Sequence, residues 1–362
     1  MIPGMSFKPV ISKKTFQKKL LSWFHKEKRP LPWRNNKDPY RIWISEIMLQ
    51  QTQVATVIPY YSRWLKAFPS LSSLARAPLS QVLTLWEGLG YYRRARMLHQ
   101  TARFIARKLQ GRIPEKADLL EQLPGIGRYT AGAIASIAFH EKVPVLDGNV
   151  IRVLTRLFAI RSSIDKGRTL KTLWELAGSL LPDHSPGDFN QAMMELGATI
   201  CHPQNPACGK CPLAKLCVSR RLGNPMTFPR KTRKEKYEKI KMFTLILESE
   251  NQKTFLCRQP PGHWWHGLWT FPFWDSRKEL SDFLKQISCE AERVGKIRHS
   301  VTRYHITLDV YHSKLIRKIR PRVPWTGKWV RFEDLRRVAL PSPHRKAATL
   351  AIRCAGKNRL LS

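Results

Sequence analysis

Cys201-His202-Pro203-Gln204-Asn205-Pro206-Ala207-Cys208-Gly209-Lys210-Cys211-Pro212-Leu213-Ala214-Lys215-Leu216-Cys217 holds four of the seven cysteines of the chain, with six, two and five residues between them. Four thiolates in one short loop can wrap a single tetrahedral centre, and both zinc and an iron–sulfur cluster accept four cysteines. A zinc ribbon usually sets two pairs of ligands across a longer gap. Here one continuous loop closes on itself after a helical stretch, which suits a cubane better. Lys210, Lys215, Arg220 and Arg221 surround the loop and can offer positive charge to phosphate. The other cysteines, Cys257, Cys289 and Cys354, are scattered, which is metal-site usage in a reducing compartment rather than a disulfide framework.

Upstream of this loop, residues 39–200 read as mostly helical. Apolar residues recur at three- and four-residue steps in Ile42–Leu65, Val82–Leu109, Ala131–Ala138 and Val150–Ile160. Phe68-Pro69, Gly88-Leu89-Gly90, Ile113-Pro114 and Leu123-Pro124-Gly125 punctuate them, and Asp38-Pro39 reads as a cap followed by a first-turn proline. Downstream, Thr227–Lys241 is highly charged and reads as a linker. The pattern then turns strand-like in Met242–Leu247, Thr254–Cys257, Ile306–Tyr311 and Lys328–Phe332, with one helix expected over Ser276–Ile287. No internal repeat is visible.

The chain has 362 residues, enough for two domains, and is 43% hydrophobic. Lys and Arg number 64 against 26 Asp and Glu, a formal charge of +38. Residues 1–230 carry 35 basic and 14 acidic side chains, and residues 231–362 carry 29 and 12. Both halves can therefore touch a polyanion, and nucleic acid is the natural partner because each neutralised phosphate releases counterions. The start, Met1–Val10, lacks an apolar core, so no secretory leader is expected. No apolar run approaches the roughly 20 residues of a transmembrane helix, so no membrane partner is expected.

Three further features carry chemistry. In Leu123-Pro124-Gly125-Ile126-Gly127, followed by a helix from Arg128, two glycines allow a tight turn with backbone N–H groups exposed at a helix start. Such a turn binds phosphate through Gly125, Gly127 and Arg128, or is an ordinary interhelical connection. Two acids stand isolated: Glu46 in an otherwise neutral helix, Ile42–Ile58, and Asp147 in Val145-Leu146-Asp147-Gly148-Asn149. Burial would raise the pKa of Glu46 and hold it protonated as a general acid, while Asp147 reads first as an N-cap. A carboxyl pair flanking a glycosidic bond is a recurring solution, but spacing alone does not pair these two. Gly90-Tyr91-Tyr92-Arg93-Arg94-Ala95-Arg96 sets aromatics beside three arginines, fit either for a stacked and neutralised strand or for a core edge with a solvated basic face.

Together these pieces resemble the helix–hairpin–helix base-excision glycosylases. Ser45-Glu46-Ile47-Met48-Leu49-Gln50-Gln51-Thr52-Gln53-Val54, Gly88-Leu89-Gly90-Tyr91-Tyr92 and Leu146-Asp147-Gly148-Asn149-Val150 resemble the MutY family of adenine DNA glycosylases in particular. The cysteine spacing is similar to that family's [4Fe–4S] loop. The resemblance runs from about Trp33 to Cys217 and more weakly to the C-terminus. It implies a multi-domain chain. An all-α helix–hairpin–helix glycosylase domain would span 1–225, with the cluster loop at 201–217, then a charged linker at 226–241 and a small α+β Nudix-like domain at 242–362 that recognises the opposite base. Gly267-Leu268-Trp269-Thr270-Phe271-Pro272 and Ala339-Leu340-Pro341 are the landmarks of the latter. Trp274–Cys289 holds only scattered acids, so the metal box of Nudix hydrolases is missing and pyrophosphatase activity is not expected.

The resemblance further implies double-stranded DNA with adenine opposite 8-oxoguanine or guanine as substrate, and base flipping to reach it. It gives Glu46 the role of general acid toward the adenine ring and Asp147 that of stabilising the cationic sugar, with Tyr129 and Asn149 in support. Trp33, Arg34, Leu49 and Gln191 would form the adenine pocket, and Gln51 and Tyr91 would fill the stack beside the opposite base. Cys201, Cys208, Cys211 and Cys217 would hold a [4Fe–4S] cluster. The family often reads oxidised guanine with a Phe-Ser-His loop. The matching stretch here is His299-Ser300-Val301-Thr302-Arg303-Tyr304-His305, in which Thr302 keeps a hydroxyl, Val301 loses the aromatic and Arg303 brings a fixed cation that can contact a phosphate or a guanine edge. A monomer is expected, in the cytoplasm, and with the nucleoid if the source is bacterial. The rival is an endonuclease III-like glycosylase and lyase, which needs a lysine where this chain has Tyr129; no lysine lies between Lys116 and Lys142. A non-catalytic mismatch-binding protein is the third reading, against which the intact Glu46 and Asp147 argue.

Overall fold

A computed structural model describes residues 12–232, 236–315 and 326–357, with side chains up to 352. Met1–Val10, Arg233-Lys234 of the linker and the side chain of Cys354 lie outside the described residues. Along the chain run helices α1 (Lys13–Glu27), α2 (Pro39–Leu49), α3 (Val54–Ala67), α4 (Leu71–Arg76), α5 (Leu79–Trp86), α6 (Arg93–Lys108), α7 (Ala117–Glu121), α8 (Arg128–Ala138), α9 (Gly148–Leu157), α10 (Gly167–Leu180), α11 (Pro186–Thr199) and α12 (Val218–Arg221). Strands β1 (Glu238–Glu248), β2 (Lys253–Arg258), β3 (Trp269–Thr270) and β4 (Phe273–Trp274) follow, then α13 (Arg277–Gln286), β5 (Glu292–Val301), β6 (Tyr304–Lys314), β7 (Gly327–Arg331) and α14 (Ser342–Lys357).

Two compact units emerge, Met1–Arg76 with Met97–Lys234, and Ala77–Arg96 with Glu235–Ser362. The second unit thus takes in Ala77–Arg96, and its first strand, β1, begins at Glu238.

In the helical unit Asp38 caps α2, accepting from the Tyr40 and Arg41 amides at 2.9 and 3.4 Å, with Pro39 at the first helical position. The helix expected over Ile42–Leu65 is broken. Gln50 leaves the helical region, Gln51 adopts φ 56°, and a new helix begins at Val54. Small residues in α8 (Thr130-Ala131-Gly132-Ala133) let it pack against α2, α7 and α11. The core gathers Phe16, Leu20 and Phe24 of α1 with Val153, Leu154, Phe189 and Met193 of α9 and α11.

In the second unit the sheet order is β3-β2-β1-β6-β5, with β4 on β1 and β7 on β2; β1 and β6 run parallel, pairing Met242 with Leu308 and Ile246 with His312. Met242 and Ile246 join one core with Leu308 and Val310, whereas Phe243, Leu245 and Leu247 join the core under α13. A strand buried on both faces reads as a continuous apolar run, as Met242–Leu247 does. Ser276 and Glu279 form a reciprocal capping box that starts α13. Among the described residues no helix is long and apolar enough to cross a membrane.

Candidate active site

The connection between α7 and α8 is the expected hairpin. The Ile126 amide donates to Leu123 O at 3.1 Å, and Gly125 sits at φ 78°, where a Cβ would stand 2.7 Å from Met97 Cβ. Gly127 caps α8 from an extended conformation with no side chain over the helix start, so the first amides of α8 stay available to an anion. Arg128 is not loose: its guanidinium lies 4.2 Å from the centre of the Trp174 ring, a cation–π contact that holds it against α10.

Tyr129, the second residue of α8, donates its hydroxyl to Glu46 Oε2 at 2.5 Å and touches Met194 Sδ at 3.2 Å. Glu46 is only 6% exposed. Burial pushes its carboxyl from an ordinary 4.5 to about 7; the Tyr129 hydrogen bond pulls the other way, Asp147 raises it further and Arg34 lowers it. Burial also raises the Tyr129 phenol well above its ordinary range, with Glu46 and Asp147 adding to the effect. The two isolated acids are therefore electrostatic neighbours, although some 100 residues separate them in sequence.

Asp147 does cap α9, accepting from the Val150 amide at 2.7 Å. Its other oxygen accepts from Asn149 Nδ2 at 2.7 Å. Burial raises its pKa, opposed by the Val150 and Asn149 hydrogen bonds and by Arg152. Arg152 in turn donates to Asn149 Oδ1, Gly197 O and Cys201 O at 2.8, 2.8 and 2.7 Å, fixing Asn149 from behind. The approach of α9 to α11 is set by Gly197, where a Cβ would meet Asn149 Cβ at 2.5 Å.

Trp33, Arg34 and Gln191 line one cavity with Ile137, Ser185 and Gly187; Leu49 and Glu46 are not among its lining residues. Arg34 is oriented by a residue that sequence reasoning missed. Glu195, 1% exposed, accepts from Arg34 Nη2 at 2.8 Å and from Arg29 Nε and Nη2 at 2.8 Å each. Although burial raises it, these hydrogen bonds hold the Glu195 carboxyl down at about 2. Its signal was the same as that of Glu46, a lone acid in the apolar stretch Ala192–Gly197.

Within 201–217 burial pushes the Cys211 thiol up to about 12, and the neighbouring Cys201, Cys217 and Cys208 add to that. No three His, Cys, Asp or Glu side chains among the described residues close around one metal ion. The donor set, four half-buried cysteines in one loop, fits an iron–sulfur group. Arg156 clasps the loop, donating to Cys201 Sγ at 3.3 Å, His202 O at 2.6 Å, Pro203 O at 2.8 Å and Phe228 O at 3.0 Å.

In the second unit Val301-Thr302-Arg303-Tyr304 is the turn between β5 and β6, with Thr302 at φ 50°. Arg303 is tied to its own neighbours: Nη2 donates to the Tyr304 hydroxyl at 2.9 Å and Nε lies 3.3 Å from Glu238. Tyr91, 37% exposed and at φ 48°, stands at the end of a separate loop.

The HhH-GPD superfamily base excision DNA repair family matches residues 44–179, the iron-sulfur binding domain of endonuclease III matches 201–217 and the NUDIX domain matches 243–350. The chain has a [4Fe–4S] cluster loop and a Nudix fold accordingly. A solved structure of a thermostable thymine-DNA glycosylase is similar at TM-score 0.54 and 32% identity, covering 58% of this chain and 97% of that one. A non-covalent endonuclease III–DNA complex, at TM-score 0.50 and 24% identity over 59% of this chain and 100% of that one, shares the fold of the helical unit. The adenine DNA glycosylase of Buchnera aphidicola subsp. Schizaphis graminum is 33% identical over 91% of this chain and 97% of its own. That of Rattus norvegicus is 36% identical over 95% of this chain and 79% of its own. With identity sustained through both units, the cluster loop of the first included, the chain belongs to the adenine DNA glycosylase family of the HhH-GPD superfamily.

Proposed function

We propose that this protein hydrolyses the N-glycosidic bond of adenine mispaired with 8-oxoguanine or guanine in duplex DNA, acting as a monomer. The observation that carries the reading is the buried Glu46 carboxyl, held near neutrality and joined to Tyr129 beside Asp147. Two carboxyls whose environments differ take two roles. Glu46 receives a single hydrogen bond, from a phenol, and keeps its proton; it donates that proton to N7 of the flipped adenine. The bond from C1′ to the base then breaks, and the base leaves with the electron pair. Asp147, with hydrogen bonds from Val150 and Asn149 to its anion, faces the positive charge that develops on the sugar. Water adds at C1′, and its proton returns to the Glu46 carboxylate. Tyr129 has no amine to form a Schiff base, so the reaction stops at hydrolysis.

Trp33, Arg34, Leu49 and Gln191 take the base, and Gln51 and Tyr91 fill the stack it leaves. Gly125, Gly127 and Arg128 hold a backbone phosphate, and Thr302 and Arg303 contact the opposite strand. Cys201, Cys208, Cys211 and Cys217 would hold the cluster, which would cross-link the basic loop that Arg156 of α9 already clasps.

Single-turnover release of free base from duplexes with adenine opposite 8-oxoguanine, guanine, cytosine or thymine tests this. Fast release opposite 8-oxoguanine, slower opposite guanine and none opposite thymine is expected. A duplex with thymine opposite guanine belongs in the same series, because one structural neighbour is a thymine-DNA glycosylase; thymine release without adenine release would overturn the proposal, as would a borohydride-trapped adduct.

A further inference from the structure

Glu87 follows the last residue of α5, and its carboxylate is gripped by Arg345 of α14. Arg345 Nη2 donates to Glu87 Oε2 at 2.8 Å, and Arg345 Nε donates to Oε1. The same guanidinium donates to Leu335 O and Val338 O at 2.6 Å each, so its direction is fixed by the backbone behind it. The Leu340 amide adds a hydrogen bond to Glu87 Oε2 at 3.4 Å. On the far side of the loop the Tyr92 hydroxyl donates to Leu340 O at 3.1 Å, and Arg96 Nη1 donates to His266 O.

Between these two anchors lie Gly88, Gly90 and Tyr91, at φ 100°, 70° and 48°. A tyrosine in the left-handed region persists only where its surroundings impose it. Arg94 donates to Leu89 O at 3.1 Å and Gly90 O at 3.3 Å, and Trp86 Nε1 donates to Gly90 O at 3.0 Å, shaping the loop from within. The outcome is a loop with Tyr91 37% exposed, fastened at both ends to residues of 235–362, with which Ala77–Arg96 forms one compact unit.

We propose that Glu87 is a positioning residue for opposite-base recognition: clasped by Arg345, it makes the Tyr91 wedge a fixed part of the Nudix-like unit, so that reading the opposite base and inserting beside it are acts of one body. The inference rests on the wedge role given to Tyr91 above.

The test uses the full chain and a duplex carrying a non-cleavable 2′-fluoroadenosine opposite 8-oxoguanine, with 2-aminopurine next to the 8-oxoguanine. Insertion of the wedge unstacks 2-aminopurine and raises its fluorescence. At saturating protein Tyr91→Ala should lose most of the rise. Glu87→Gln should lose at least half of it, and Arg345→Lys, which keeps the charge but not the fork, should fall between Glu87→Gln and wild type. In turnover, Glu87→Gln should reduce the preference for 8-oxoguanine over guanine about tenfold. Should Glu87→Gln fail to fold, Arg345→Lys decides. A full rise in the folded clasp variants beside its loss in Tyr91→Ala would overturn the positioning role alone. A full rise in Tyr91→Ala would remove the wedge reading and this proposal with it.

Discussion

The Tyr129 hydroxyl donates to Glu46 Oε2 across 2.5 Å, so the helix that begins at the Gly125–Gly127 hairpin also holds the buried acid. Whatever shifts the start of α8 is felt at that carboxyl, because Tyr129 is the second residue of the helix. That coupling, together with the burial of Glu46, frames the first expectation.

Adenine release should fall as pH rises through about 7, close to tenfold per unit, because the acid form of Glu46 is consumed. Stability has the same direction. The folded pKa of about 7 lies above the ordinary 4.5, so the folded chain keeps a proton that the unfolded chain releases, and stability drops between those two values as pH rises. Glu46→Gln should abolish turnover, retain duplex binding and raise stability by up to ~3 kcal/mol at pH 8 with little gain at pH 4. Thermal unfolding of both proteins at the two pH values checks it; equal gains at both would remove the burial argument.

Glu195 behaves oppositely. Its pKa of about 2 lies below the ordinary 4.5, so its contribution is whole above pH 4.5 and fades as pH falls toward 2. Glu195→Gln leaves the Arg34 guanidinium, whose side chain is 11% exposed, without its anion. A loss of roughly 3–5 kcal/mol is expected, with a higher KM because Arg34 lines the cavity. A denaturant titration showing a loss below about 1 kcal/mol would argue that water replaces the carboxylate.

The two hairpin glycines should separate folding from binding. Gly125→Ala places a Cβ 2.7 Å from Met97 Cβ at φ 78°, and should lower the melting temperature. Gly127 has an ordinary φ of −96° and nothing within 4 Å of a new Cβ, so Gly127→Ala should fold normally. Its methyl stands by the free amides and should weaken duplex binding several-fold while reducing the salt slope by about one. Unchanged affinity in Gly127→Ala would mean that the phosphate lies elsewhere.

Gly197→Ala should force α9 and α11 apart at Asn149, at a cost of about 1–3 kcal/mol. The Asn149–Asp147 hydrogen bond moves with it, and a displacement of about 1 Å is enough for a hundredfold loss of single-turnover rate. Full activity in a Gly197→Ala protein of normal stability would show that Asn149 does not orient Asp147.

Local chemistry was readable from the residues and long-range pairing was not. Asp38, Asp147 and Ser276 each announce a helix start because a cap acts on amides within three residues. The break at Gln50–Gln53 was hidden because apolar residues at helical spacing continue across it. β5 carries Arg293, Lys296 and Arg298 on an exposed face, so no apolar alternation marks it. Glu195 and Arg34 are 161 residues apart, and the clasp of Glu87 by Arg345 spans 258. No periodicity in a sequence reports such partners.

Position 197 has a consequence beyond the single molecule. Every residue other than glycine carries a Cβ, so all missense changes there strike the same wall at Asn149. None of them alters a charge on the DNA-facing surface or a ligand of the cluster. In an organism relying on this enzyme, and with adenine opposite 8-oxoguanine as the proposed substrate, such an allele would leave protein present and mispairs uncorrected. It would surface as a raised rate of G·C to T·A transversion, a mutator whose cause is one hydrogen atom exchanged for a carbon.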